Sequence, residues 1–132
     1  MSRKSLKYRS ILNGPQIEAV ETLDGPVLVL AGAGTGKTRV ITHRIALMIE
    51  KGVDPANIAG MTFTNKAASE MRERINEMIS REDAAKVFLG TFHAFCSRIL
   101  RREISVLGFT SSFTIADEAD QAGNVIMNLL NI

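Results

Sequence analysis

The sequence is short of whatever would staple it covalently or fix it in a membrane. Cys96 is the single cysteine in 132 residues, so no internal disulfide can form, and no CxxC pair or metal-spaced Cys/His cluster accompanies it. It is expected to be a core residue in a reducing compartment. No apolar stretch is long enough to span a bilayer, and the basic start (Arg3, Lys4, Lys7, Arg9) has no apolar run after it, which argues against a secretory signal. Internal repeats and low-complexity segments are lacking too. What remains is the expectation of one compact, soluble, cytoplasmic domain with no membrane partner, and a hydrophobic content of 45% suffices for a single core.

Basic residues are scarce in one place only. Residues 1–108 hold all 16 Lys and Arg against 11 acidic residues, an excess of five, whereas 109–132 carry only Asp117, Glu118 and Asp120. This asymmetry permits a polyanionic partner without requiring one.

Hydrophobic periodicity gives the organisation. A basic lead-in, 1–12, precedes a short helix from about Gly14 to Leu23, opened by Asn13 and Pro15 and broken by Asp24-Gly25-Pro26. Val27 to Leu30 is a continuous β-prone apolar run, as expected of a strand buried on both faces. Val40, Ile41, Ile45, Met48 and Ile49 then recur at helical spacing from Lys37 to about Lys51, with Gly52 as the stop. A second strand is expected over Ile58–Phe63, followed by a helix from Lys66 to about Ser80 with Asn65 as its cap. A third strand is expected over Val87–Gly90, followed by a helix capped by Thr91 and running to about Leu107, where Gly108 stops it. A strand-like piece, Phe113–Ala116, leads into a last helix from Asp117 with Ala122, Val125, Ile126, Leu129 and Leu130 on one face. Strands alternating with helices imply an α/β fold with a parallel sheet.

Chemistry concentrates in Ala31-Gly32-Ala33-Gly34-Thr35-Gly36-Lys37-Thr38. Glycines let backbone N–H groups converge on phosphate oxygens at φ values that a β-carbon resists. The helix opening at Lys37 aims its positive dipole end at the anion, the ammonium reaches the β and γ phosphates, and the Thr38 hydroxyl is placed to ligate Mg²⁺. Ala31 departs from the usual glycine at the first position of this Walker A pattern, but a small side chain still fits. The motif implies a nucleoside triphosphate, ATP with Mg²⁺, and Lys37 and Thr38 are the expected catalytic residues. It does not by itself choose a reaction.

Three further stretches resemble the UvrD/Rep/PcrA family of superfamily 1 DNA helicases, in that family's order. Leu12-Asn13-Gly14-Pro15-Gln16-Ile17-Glu18-Ala19-Val20 is similar to its Q motif, which implies that Gln16 recognises adenine; Asn13 and Gln16 also have the spacing of a capping box. Arg39 is similar to the family's arginine near the nucleotide. Thr62-Phe63-Thr64-Asn65-Lys66 and the residues up to Arg74 resemble motif Ia, and Gly90-Thr91-Phe92-His93-Ala94-Phe95 resembles motif Ib. The resemblance implies that both contact single-stranded DNA, through Thr62, Phe63, Thr64, Asn65 and Lys66 and through Thr91, Phe92 and His93. Taken by itself, an aromatic at a strand end such as Phe63 is more often a core residue. Arg98, Arg101 and Arg102 read as a solvated helix face.

Asp117-Glu118-Ala119-Asp120 spells the acidic box of another helicase superfamily, but Ser111-Ser112-Phe113-Thr114-Ile115-Ala116 supplies too few apolar strand residues before it. The segment instead resembles the approach to subdomain 1B, with Asp117 as a helix cap. The resemblance thus implies an incomplete P-loop NTPase (RecA-like) three-layer sandwich, with residues 13–116 as the N-terminal part of core domain 1A and 117–132 a helix near the start of 1B. Domains 1B, 2A and 2B, the Walker B carboxylates and the later arginines would be absent. The parent is expected to be a 3'-5' ATP-dependent helicase of repair or replication, and the fragment to bind nucleotide weakly without hydrolysis. A small P-loop kinase and a non-hydrolysing, ATP-gated DNA-binding module remain as alternatives.

Overall fold

The computed structural model describes residues 7–115, so the first six residues, the expected helix from Asp117, the acidic box and Ala116 lie outside it. The chain divides into two compact units, Met1–Phe95 and Cys96–Ile132. Elements run in the order α1 (Gly14–Glu21), α2 (Lys37–Glu50), β1 (Ala59–Thr62), α3 (Asn65–Met78), α4 (Arg81–Lys86), β2 (Phe88–Thr91) and α5 (Phe92–Glu103). Short 3-10 turns at Lys7–Ser10, Pro55–Asn57 and Ile104–Leu107 complete them.

Strands β1 and β2 pair in parallel, Gly60 opposite Leu89 and Thr62 opposite Thr91, so α3 and α4 form the crossover that parallel pairing demands. The architecture is therefore α/β, mostly helical, with a two-stranded parallel sheet among the described residues. Gly60 leaves no space for a side chain: a Cβ there would lie 2.7 Å from Leu89 Cδ2 and 3.3 Å from both Ile45 Cδ1 and Met71 Sδ. The main core gathers Ile45, Ile58, Met71, Ile75, Ala84, Val87 and Leu89 around that close approach. A second cluster joins Leu12, Ala19, Val20, Val40 and Leu47, with Tyr8 packed on it. Helix α2 serves both, Ile45 entering one cluster and Val40 and Leu47 the other.

The expected strand Val27–Leu30 is not formed. The segment has no regular structure, and Leu28 and Leu30 are 84% and 87% exposed. A strand exists only where a neighbour takes its N–H and C=O groups, and among the described residues the sheet consists of β1 and β2 alone. The outer edge of β1 instead borders a groove lined by Ile41, Ile45, Met48, Ile58 and Met61, which explains why Ile41 is 40% exposed despite its place in the helical pattern. Phe113 to Ile115 likewise forms no strand.

Other boundaries shift for local reasons. Thr64, not Asn65, caps α3, its hydroxyl accepting from Ala67 N at 3.2 Å; Asn65 is the helix's first residue. Helix α4 was not expected, having only six residues and no apolar period, but Ser80 caps it and Glu82 and Asp83 sit in its first turn, where the helix dipole favours them. Thr91 does cap α5, accepting from Ala94 N at 3.2 Å, and Gly108, in a left-handed conformation at φ 80°, ends the 3-10 turn that follows it. Cys96 is exposed, not buried, on a helix that has no fully buried residue. No helix among the described residues is long and apolar enough to cross a membrane.

Candidate functional site

Two backbone conformations shape the glycine-rich loop. Gly34 and Gly36 adopt φ of 75° and 83°, which side-chain-bearing residues resist, and Gly36 is the N-cap of α2. Because glycine has no side chain, α2 starts without a side-chain cap, whereas among the described residues Asn13, Thr64, Ser80 and Thr91 cap α1, α3, α4 and α5. The first amides of α2 are thus left for an acceptor from elsewhere, at the positive end of the helix dipole.

The loop is closed upon itself by two side chains. Thr35 Oγ1 donates to the Gly32 carbonyl at 2.7 Å, and Lys37 Nζ donates to the carbonyls of Gly32 at 2.6 Å and Ala31 at 3.1 Å. The ammonium therefore lies across the start of the loop. Lys37 and Arg39 are exposed and Thr38 half-buried on the first turn of α2; Ala33 lies exposed between the glycines.

Gln16 reaches this loop from α1. Both halves of the capping box are present, Asn13 Oδ1 accepting from Gln16 N at 3.1 Å and Gln16 Oε1 accepting from Asn13 N at 3.0 Å. In addition Gln16 Nε2 donates to the Thr35 carbonyl at 2.9 Å. The other end of α1 is tied to α2: Arg44 Nη1 donates to the Ala19 carbonyl at 2.6 Å and to that of Thr22, a cation satisfying carbonyls where the dipole is negative.

A second group of candidates meets at the carboxyl ends of the two strands. Because Thr62 and Thr91 are register partners, the segments following them lie side by side. Thr62 Oγ1 donates to the carbonyl of Thr64 at 2.9 Å and approaches that of Gly90 at 3.5 Å, touching both segments. Phe63 is 92% exposed, so the core reading does not hold for it, and Phe92 is 56% exposed. Asn65, Lys66 and His93 are exposed as well.

Sequence reasoning passed over Arg72. Phe88 N donates to the Ile58 carbonyl, so in the alternation of a parallel ladder the Leu89 carbonyl points away from β1. Arg72 Nη2 donates to it at 2.6 Å, binding α3 to the edge of β2 that faces away from β1. Only its position within the motif-like stretch hinted at a role. In the second unit, Arg101 lies 5.0 Å from the Phe113 ring centroid and Arg102 pairs with Glu103 at 2.5 Å, as a solvated face would.

Among the described residues no group of His, Cys, Asp and Glu could hold a metal ion. Comparison with known proteins decides the family: residues 12–131 match the UvrD/REP helicase N-terminal domain. The chain belongs to that family. Similar relatives of this helicase domain include ATP-dependent DNA helicase PcrA of Bacillus subtilis, 56% identical over 131 residues, or 98% of this chain and 18% of the relative. PcrA of Staphylococcus epidermidis is 50% identical and PcrA of Staphylococcus aureus 49%, each over 120 residues, 90% of this chain and 16% of the relative. The chain thus spans less than a fifth of the length of these helicases.

Proposed function

We propose that this chain is the nucleotide-binding front of an ATP-dependent helicase that moves 3'-5' along single-stranded DNA. The observation that carries the reading is the uncapped start of α2 behind two positive-φ glycines, with Lys37 folded across the loop beside it. Peptide N–H groups, a helix dipole and a cation converge there, which is the chemistry a triphosphate tail requires. The fit extends to the residues around it. Residues 31–36 supply backbone donors, Lys37 exchanges its carbonyl partners for β and γ phosphate oxygens, and Thr38 offers a hydroxyl to Mg²⁺. Gln16 faces the base, and Arg39 adds positive charge.

Single-stranded DNA would lie on the strand ends, where Phe63 and Phe92 offer aromatic faces to bases and Lys66 and the first amides of α3 and α5 meet phosphates. Thr62 and Thr91 shape that ledge, with Thr64, Asn65 and His93 on its rim. The family resemblance assigns the Walker B carboxylates and the arginines that stabilise phosphoryl transfer to motifs not found in these residues. In our reading this chain alone therefore binds nucleotide weakly, hydrolyses it negligibly and does not unwind DNA, and activity needs domains 1B, 2A and 2B. A DNA motor with an unbridged thiol belongs in the cytoplasm.

A thermal shift with ATP and Mg²⁺ tests the site. At about 100 times its Kd, ligand adds about 2.7 kcal/mol of stability to the wild-type chain, and Lys37→Ala is expected to abolish most of it. Equal or absent shifts in both proteins would count against a nucleotide site here.

A further inference from the structure

We propose that Gln16 is a positioning residue of the phosphate loop, its side-chain amide strapping the Thr35 carbonyl to the start of α1. This goes beyond contact with a base and rests on the nucleotide reading above.

Gln16 and Thr35 are 19 residues apart, and only the fold brings them to 2.9 Å. The orientation of the amide is dictated by its partners. Asn13 N is a donor and must face Oε1, while the Thr35 carbonyl is an acceptor and must face Nε2. The two bonds span from the N-cap of α1 to the residue before Gly36, which is the N-cap of α2. The fit is close, since a Cβ on Gly36 would lie 3.2 Å from Gln16 Nε2. One side chain thus joins two helix starts across the loop.

The strap leaves the amide with unused capacity. A glutamine amide has two N–H donors and two acceptor lone pairs; the strap takes one of each. One donor and one acceptor remain, the complement of the N7 acceptor and N6 donor that adenine presents on one edge. Base contact therefore does not require release of Thr35, and a correct base would steady the group that holds the loop. It follows that Gln16 affects the phosphates even when no base is present.

The experiment compares binding of magnesium tripolyphosphate, which has no base, with binding of MgATP. It uses the 132-residue chain as wild type, Gln16→Met, Gln16→Glu and Asn13→Ala. Loss of the Thr35 bond predicts about a fivefold weaker Kd for tripolyphosphate in Gln16→Met, and at least that in Gln16→Glu, where a carboxylate replaces the donor beside the carbonyl; ATP is weakened at least as much in both. Asn13→Ala, which removes half of the capping box and leaves the strap, is expected to bind tripolyphosphate like wild type. In the ligand-free proteins, amide exchange over residues 32–36 is expected to quicken in the Gln16 variants and not in Asn13→Ala.

Wild-type tripolyphosphate affinity in the Gln16 variants, with ATP affinity lost, would make Gln16 a base reader only and overturn the proposal. The same weakening in Asn13→Ala would assign the effect to the helix cap and also overturn it. Wild type binding neither ligand would instead overturn the nucleotide reading, while the exchange data still show whether the strap holds the loop. Exchange unchanged in both Gln16 variants sinks the strap outright, and so does wild-type exchange over 32–36 as fast as in an unstructured chain.

Discussion

Tyr8, Arg9 and Glu21 show how much a single contact can say about pH. Tyr8 Oη donates to Glu21 Oε1 at 2.7 Å and Arg9 Nη2 meets the same oxygen at 2.6 Å. The Tyr8 hydrogen bond, with Arg9 beside it, holds the Glu21 carboxyl below the usual carboxylate range. On acidification the unfolded chain therefore takes up this proton first. The stabilisation is present above the ordinary carboxyl range and is lost as pH falls through the lowered native value. Glu21→Gln should flatten the acid limb of a plot of thermal midpoint against pH between about 6 and 3, and an unchanged limb would disprove the linkage. Tyr8 is raised, by burial first and by Glu21 second, so its contribution disappears at the alkaline end. None of these three residues drew notice in the sequence beyond Arg9's charge, because the pairing joins residues 13 apart through a turn that periodicity does not register. The place of Gln16 in a capping box was legible, but its bond to Thr35 was not.

At the scale of elements, the legible ones carried their own stop and start chemistry. Helix α2 runs Lys37–Glu50, as its spacing and the glycines on either side required. Helices α1, α3 and α5 were legible in the same way. The strands around Gly60 and Leu89 were legible as well, because each is short, apolar and followed by a capping threonine. For α3 that threonine is Thr64, and Thr64→Ala should lower stability by about 1 kcal/mol, read as a lower urea midpoint with an unchanged slope. A loss no larger than a few tenths would mean that packing of Met71 and Ile75 alone sets the helix start. Helix α4 escaped notice because four charged residues and two alanines have no periodic face; Lys86 pairs with Glu82 at 2.9 Å one turn away.

For the molecule as a whole, the apolar run Val27–Leu30 stays exposed before a loop that expects support behind it. The matched relatives are more than five times longer than the part covered here. In a longer version of the protein carrying the downstream sequence, amide exchange over residues 27–30 should slow markedly, whereas in the 132-residue chain it should be nearly unprotected. Equal exchange in both would mean that the run is not a strand of this fold.

The sequence by itself determined local features: the caps Asn13 and Thr91, the stops at Gly52 and Gly108, the glycines of the loop, and the order of motifs that marks the family. These depend on neighbours within a few positions, and the chain always holds such neighbours together. Tertiary structure alone decided the pairing of Thr62 with Thr91, the grip of Arg72 on Leu89, the strap from Gln16 to Thr35 and the unpaired state of Val27–Leu30. Each of those is a bond, or a missing bond, between segments far apart along the chain. Hydrophobic period can nominate a strand, but only a neighbouring strand with free N–H and C=O groups can make it one.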